Sequence, residues 1–246
     1  LHNSVRIISF DPSILVMGSI RRPKRIKIHG NDEHDYLFLV KGGEDLRQDQ
    51  RIQQLFMIMN DILKTDSTCC KRDLHIKTYK VVPMSTNVGV IEWVPNTTPL
   101  KAIVEGQLSL REKQKVELLK HRSAMLFNNL INSNEKQGVP LNLIQKYMRM
   151  YQKSDRETVL AVMLEAWKEV PGDMLKNGIA CMAASQEAFF TIRNRFARSL
   201  AVINVCSYVL GIGDRHMENF LLDATDGDII AIDFGHAFGS ATELLP

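Results

Sequence analysis

The sequence predicts an α+β protein in two unequal parts: a strand-rich part over residues 1–94 and a helical part over 95–246 that returns to β-structure near its end. Three patterns carry this. Short β-prone runs bounded by turn residues fill the first part. One amphipathic helix interrupts them. After residue 109 the apolar spacing turns helical, until two alternating runs form a hairpin ending in Asp233-Phe234-Gly235.

In the first part, Arg25-Ile26-Lys27-Ile28 alternates polar and apolar, as a half-buried strand does. Tyr36 to Val40 is an apolar β-prone run between Asn31-Asp32 and Gly42-Gly43. Leu74 to Val82 and Val88 to Trp93 are two more strands, with Asn87 and Gly89 bracketing the turn between them. The helix starts at Asp45, and its apolar positions are Ile52, Leu55, Phe56, Met59, Ile62 and Leu63. Glu44 and Asp45 suit its positive end.

Pro95 to Pro99 is a connector. Helices are expected over Ser109 to His121, Leu141 to Tyr151, Glu157 to Lys168 and Gln186 to Leu210, the last broken or bent, with Ser185 as its N-cap. Asn132 to Pro140 is a polar loop. The hairpin runs Phe220 to Asp223, a turn at Ala224 to Gly227, and Asp228 to Ile232.

Composition sets bounds on function. The chain is 45% hydrophobic and 24% charged, which is ordinary for a globular protein with a sizeable core. A net charge of +3 is too mild to indicate nucleic-acid binding by itself. Cys69, Cys70, Cys181 and Cys206 form neither a zinc pattern nor a secreted disulfide framework, which points to the cytosol or nucleus. The longest apolar stretch, about Leu200 to Ile212, is too short to span a bilayer, and no signal peptide opens the chain. Leu1 at the start and Pro246 at the end suggest a segment of a longer polypeptide.

The chemistry lies in Gly211-Ile212-Gly213-Asp214-Arg215-His216-Met217-Glu218-Asn219, a loop held at the end of an apolar helix by Gly211. Phosphoryl transfer is largely positioning and charge neutralisation. It needs a carboxylate near the acceptor hydroxyl and hard oxygen ligands for Mg²⁺. Asp214 can be that carboxylate. Asn219 and Asp233 can be the ligands, Mn²⁺ being acceptable in place of Mg²⁺. His216 can donate to the γ-phosphate or share proton handling with Asp214. Arg215 is read as a structural ion-pair partner. The order of loop, hairpin and Asp-Phe-Gly matches the logic of ATP-dependent kinases.

The matching cation is Lys41, at the end of the Tyr36–Val40 strand. Either Glu44 or Asp49 can pair with it. No G-x-G-x-x-G precedes Lys41. Val16 to Arg22 is the nearest substitute, with Ser19 and backbone amides available to phosphates, and the basic run Arg21 to Arg25 reads as a solvated edge strand and turn.

Lys41 to Arg51, Gly211 to Asn219 and Asp233 to Thr242 together resemble the phosphatidylinositol 3-kinase-related protein kinases. The resemblance implies a two-lobed, protein-kinase-like catalytic domain of the PI3/PI4-kinase type, ending within its activation loop. It implies a hinge near Glu92, Trp93 and Val94, where the adenine of ATP meets backbone, and an adenine slot lined by Leu39, Tyr79, Trp93, Leu221 and Ile232. Val16 to Arg22 takes the place of the glycine-rich loop, and the activation loop starts near Asp233. Also implied are a serine/threonine kinase that prefers an acceptor followed by Gln, action in DNA double-strand break repair by non-homologous end joining, a nuclear location, and the Ku heterodimer and DNA ends as partners through regions outside these residues. A lipid kinase of the same architecture is a rival. A phosphoinositide headgroup wants Lys or Arg near the acceptor site, and Asp233 to Pro246 contains neither. An inactive kinase-like scaffold would be expected to lack a metal ligand or the lysine, and none is missing.

Overall fold

The computed structural model describes residues 4–19, 21–118, 121, 155–157, 160–161, 164, 168 and 170–240. Among these, one sheet of six strands has the path β1–β3–β4–β6–β5, with β2 paired to β3. Its strands are β1 (Ile7–Phe10), β2 (Leu15–Val16), β3 (Lys24–Gly30), β4 (Asp35–Gly42), β5 (Val81–Pro83) and β6 (Val88–Glu92). All pairings are antiparallel. β4 sits between β3 and β6, so that Leu39 faces Arg25 on one side and Ile91 on the other, and Lys41 faces Gly89.

Helix α1 (Arg47–Thr65) is the expected amphipathic helix. Its buried side is not purely apolar. Ile52 and Phe56 are fully buried, Asp49 and Gln53 are buried beside them, and Ile62, expected on the core face, is 62% exposed. The polar residues on this side explain a correction. The strand expected over Leu74 to Val82 contracts to β5, because the backbone of Ile76 and the N–H of Tyr79 bond α1 side chains instead of a neighbouring strand. Asn60 bonds both the N–H and the C=O of Ile76, at 2.7 and 2.8 Å. Gln53 Oε1 accepts from Tyr79 N at 3.1 Å. Buried backbone groups need partners, and amide side chains serve as well as a ladder.

The Pro95–Pro99 connector is in part a strand. β7 (Thr97–Pro99) joins β8 (Phe220–Asp223) and β9 (Ile229–Ala231) in a second, three-stranded sheet. Helices α2 (Ser67–Lys71), α3 (Leu100–Gly106) and α4 (Met174–Met182) were not foreseen, being too short for their periodicity to show. Residues 110–118 are helical, as the Ser109–His121 expectation requires. The Leu141–Tyr151 helix and the Asn132–Pro140 loop lie outside the described residues, as does much of Glu157–Lys168.

Helix α5 (Gln186–Val209) runs unbroken, contrary to the expected interruption. Ser185 Oγ accepts from Ala188 N, so it is the N-cap. At the other end Gly211 N–H bonds Tyr208 O and Ile212 N–H bonds Ser207 O, a Schellman closure with Gly211 at φ +57°. Ile203 of α5 and Leu222, Ile229 and Ile230 of the hairpin are fully buried together, which seats the hairpin on the helix.

Candidate active site

A cleft of about 220 Å³ opens between the two sheets. Its walls include Leu39 and Ile91 from adjacent strands, Tyr79, and Glu92, Trp93 and Val94 at and just after the end of β6. Leu221 and Ile232 of the hairpin form the floor, and Ser19, Lys41 and Asp233 stand at the polar end. Apolar walls with a few polar groups are what a small-molecule site requires. A larger cleft of about 630 Å³, between the end of α1 and α5, is lined by Leu63, Arg72 and Val205 among others, and none of the candidate catalytic residues reaches it.

Lys41 is well enclosed, and its Nζ lies 3.2 Å from Glu44 Oε1. Glu44 also meets Arg21, which bonds the carbonyl of Gly43. Of the two acids proposed for Lys41, Glu44 is therefore the contact. Asp49 has another task. It is buried in the first turn of α1 and accepts from Phe234 N, while the neighbouring Gln48 Nε2 donates to Phe234 O at 2.6 Å. Phe234 packs edge-on against Phe56, with ring centroids 5.6 Å apart. Burial pushes the Asp49 carboxyl up, opposed by the Phe234 N–H and by Lys41. Burial likewise raises the phenol of Tyr79, with Asp49 adding to it. Neither Glu44 nor Asp49 lines the cleft.

The loop after α5 is held from several sides. Gly213 N bonds His236 O. Lys101, at the start of α3, bonds Met217 O through its backbone and Glu218 Oε1 through its Nζ, at 3.2 and 2.7 Å. His216 Nδ1 accepts from Glu218 N, so the ring proton belongs on Nε2, which lies 3.8 Å from Asp214 Oδ1. Asp214 and Asp233 both have positive φ, +55° and +60°, an uncommon state for non-glycine residues that concentrates at functional sites.

Asn219 lies across the open end of the hairpin from Ile232, the residue before Asp233: Ile232 N bonds Asn219 O at 3.0 Å. The Asn219 amide nitrogen donates to Asp214 O at 2.9 Å, which leaves its oxygen as the group able to ligate a cation. The Asp233 carboxylate makes no ion pair among the described residues. No cluster of three or more His, Cys, Asp or Glu suited to a metal occurs among them. A side-chain amide oxygen and a carboxylate are donor types that suit Mg²⁺, which keeps waters and takes its remaining ligands from phosphates.

Arg215 corrects its expectation. It forms no ion pair among the described residues. Its guanidinium instead donates to the carbonyls of Gly213, Ile232 and Asp233 and stacks on Phe220 and Phe234. It ties the loop to the hairpin end, and burial lowers its pKa against the pull of the nearby Asp233 and Asp214.

Comparison with known proteins accords with this arrangement. Residues 35–246 match the model of the family described as phosphatidylinositol 3- and 4-kinase. The chain belongs to the phosphatidylinositol 3- and 4-kinase family. It is 52% identical over 246 residues to the DNA-dependent protein kinase catalytic subunit of Dictyostelium discoideum, covering 98% of this chain and 6% of that protein. Identity to the protein of that name from Xenopus laevis is 44%, again over 98% of the chain and 6% of the relative. To the serine/threonine-protein kinase mTor of Drosophila melanogaster it is 36%, over 95% and 9%. Among solved structures, the FAT and kinase domain of CtTel1 superposes with a TM-score of 0.70 at 29% identity, covering 97% of this chain and 15% of that one. The chain thus spans a small fraction of the relatives it matches, and its architecture is the α+β catalytic fold of PI3/PI4-kinases.

Two cleft residues of this family member escaped sequence reading. Ile91 faces Leu39 across the β4–β6 ladder, and Thr97 lies on β7 and donates its hydroxyl to Val94 O. Strand register would have shown the first, but register is not written in one strand alone. The roles of Gln48 and Lys101 had no local signal, since both act on segments far along the chain.

Proposed function

We propose that this chain is the catalytic segment of a serine/threonine protein kinase that transfers the ATP γ-phosphate to protein hydroxyls, preferring Ser or Thr followed by Gln. The observation that carries the proposal is that Lys41 and Asp233 stand at the polar end of one apolar cleft, while the Asp214–Asn219 loop, which does not itself line the cleft, is tied to Ile232 and Asp233 by the Asn219 carbonyl and the Arg215 guanidinium. The division at the hinge, with residues 1–94 as one lobe and 95–246 as the other, follows the two sheets and belongs to the same reading.

Adenine enters between Leu39, Ile91, Leu221 and Ile232. Glu92 and Trp93 already give their N–H groups to Lys80 and Leu37, so Val94 supplies the hinge donor. Arg25 over the Trp93 ring, 5.2 Å from its centroid, stiffens that wall. Lys41, oriented by Glu44, pairs with phosphate oxygens, and Ser19 covers them. Asn219 and Asp233 hold Mg²⁺, which neutralises phosphate charge when bound. Asp214 accepts the hydroxyl proton, and His216, with its proton on Nε2, donates toward the transferring phosphoryl group.

Similarity to relatives named DNA-dependent protein kinase catalytic subunit extends the proposal to double-strand break repair by end joining in the nucleus. Ku and DNA ends would act through parts of the protein outside these residues. The family description also covers lipid kinases. The absence of Lys and Arg from residues 233–246, and the protein-kinase names of the relatives, favour a protein acceptor. The test is phosphate transfer by the full-length protein to a Ser-Gln peptide and, in parallel, to phosphoinositide vesicles. Transfer to the peptide is expected. Transfer confined to the vesicles overturns the reading.

A further inference from the structure

Residues 74–80 do more than pack on α1. Along this extended segment Leu74 and Ile76 turn into the core. The alternate residues Asp73, His75 and Lys77 reach the other way, and each meets an opposite charge. Asp73 pairs with Arg195 of α5. His75 Nε2 lies 3.0 Å from Asp228 Oδ2. Lys77 Nζ bridges Asp223 Oδ2 and Asp226 Oδ2 at 2.5 and 2.6 Å. The rungs are unequal. The Asp73–Arg195 pair is exposed, and such pairs contribute little. Asp223 and Asp228 have side chains only 6% and 5% exposed, so stranding either without its cation carries a heavy penalty.

All three acids that meet His75 and Lys77 lie at the turn end of the β8–β9 hairpin. Its open end carries Asn219 and Asp233. Strands of four and three residues are too short to absorb a shift at the turn. Tyr79, two residues beyond Lys77, lines the nucleotide cleft. One strap thus runs from the cleft wall to the base of the hairpin.

Resting on the kinase reading above, we propose that Lys77, seconded by His75, is a positioning residue: by gripping Asp223, Asp226 and Asp228 it holds the hairpin so that Asn219 and Asp233 present their oxygens to the cation. The test uses the full-length protein carrying Lys77→Met, Lys77→Arg or Asp226→Asn. Lys77→Met is expected to raise the Mg²⁺ concentration for half-maximal turnover by roughly three- to tenfold, less than the 10–100-fold of a direct partner of a metal ligand. Nucleotide binding measured without Mg²⁺ stays unchanged, and amide exchange in residues 220–231 quickens. Lys77→Arg restores both. Should Lys77→Met fail to fold, Asp226→Asn, which removes the more exposed carboxylate, must give the same changes in smaller measure. Normal Mg²⁺ dependence and normal exchange in a folded Lys77→Met protein overturn the proposal, as does an Arg variant that restores neither. A wild-type protein without any turnover refutes the kinase reading instead, and the exchange measurement then still decides whether the strap holds the hairpin.

Discussion

Replacing Gly211 by Ala tests how the loop after α5 is held to the segment that follows Asp233. Gly211 is left-handed at φ +57°, and a Cβ there would lie 2.6 Å from the backbone nitrogen of Gly239. A left-handed L-residue costs about 1–2 kcal/mol. The clash adds to this, because its partner is backbone and cannot rotate away. Gly239 can retreat only by giving up its hydrogen bond to Gly211 O, at 3.1 Å, and that of Phe238 N to Leu210 O, at 2.9 Å. Each is worth about 1 kcal/mol, so the local cost is about 3–4 kcal/mol. That lowers the ratio of docked to undocked segment by roughly 160- to 900-fold. The assay is amide exchange at residues 234–240 together with peptide turnover in the full-length protein. Phe238 and Gly239 amides are expected to exchange faster and turnover to fall at least about tenfold. Gly211→Asn separates the two causes: Asn tolerates the left-handed state but still carries the Cβ, so it should show the same changes in smaller measure than Ala. Slow exchange at Phe238 and Gly239 with normal turnover in Gly211→Ala would refute the reasoning.

Asp233→Ala is expected to abolish Mg²⁺-dependent turnover while circular dichroism of the full-length protein stays unchanged, since the side chain makes no ion pair among the described residues; near-normal turnover excludes Asp233 as a ligand. Lys41→Ala removes a charge-assisted phosphate contact and should lower kcat/KM by about tenfold or more, as measured by steady-state kinetics. The rung at His75 has a pH signature. Its hydrogen bond to Asp228 raises its pKa above the ordinary 6.5, with burial opposing and the Asp228 and Asp73 charges assisting; Arg195 and Lys77 are the other charged groups around the pair. A raised pKa means that the stabilisation is complete below the unfolded value and is lost as pH rises through the folded one. Amide exchange of residues 220–231 should therefore quicken as pH climbs above 6.5, beyond the intrinsic rise in exchange rate, and His75→Gln should remove that extra dependence.

Much of the site was readable because it depends on local chemistry. Gly211 had to end α5, because only a residue free of the left-handed penalty closes a Schellman turn cheaply. The hairpin was legible from alternation, and Asp214, Asn219, Asp233 and Lys41 were proposed from residue type and order. The illegible parts depend on what packs against what. Residues 74–80 have the composition of a strand, yet polar side chains of α1 bond the backbone of Ile76 and Tyr79. Asp49 and Glu44 were equal candidates for Lys41 until the start of α1 was set against Phe234. Arg215 passes in sequence for an ion-pair residue and turns out to clamp three carbonyls.

Sequence alone pointed to the long helices, the hairpin and the chemical types proposed for the site, because periodicity, capping and ligand hardness are properties of a few neighbouring residues. Tertiary structure alone decided which acid meets Lys41, which backbone α1 satisfies, and that Asp73, His75 and Lys77 grip residues some 120–150 positions away. Such pairings follow from burial and register across the whole fold, which no local window contains.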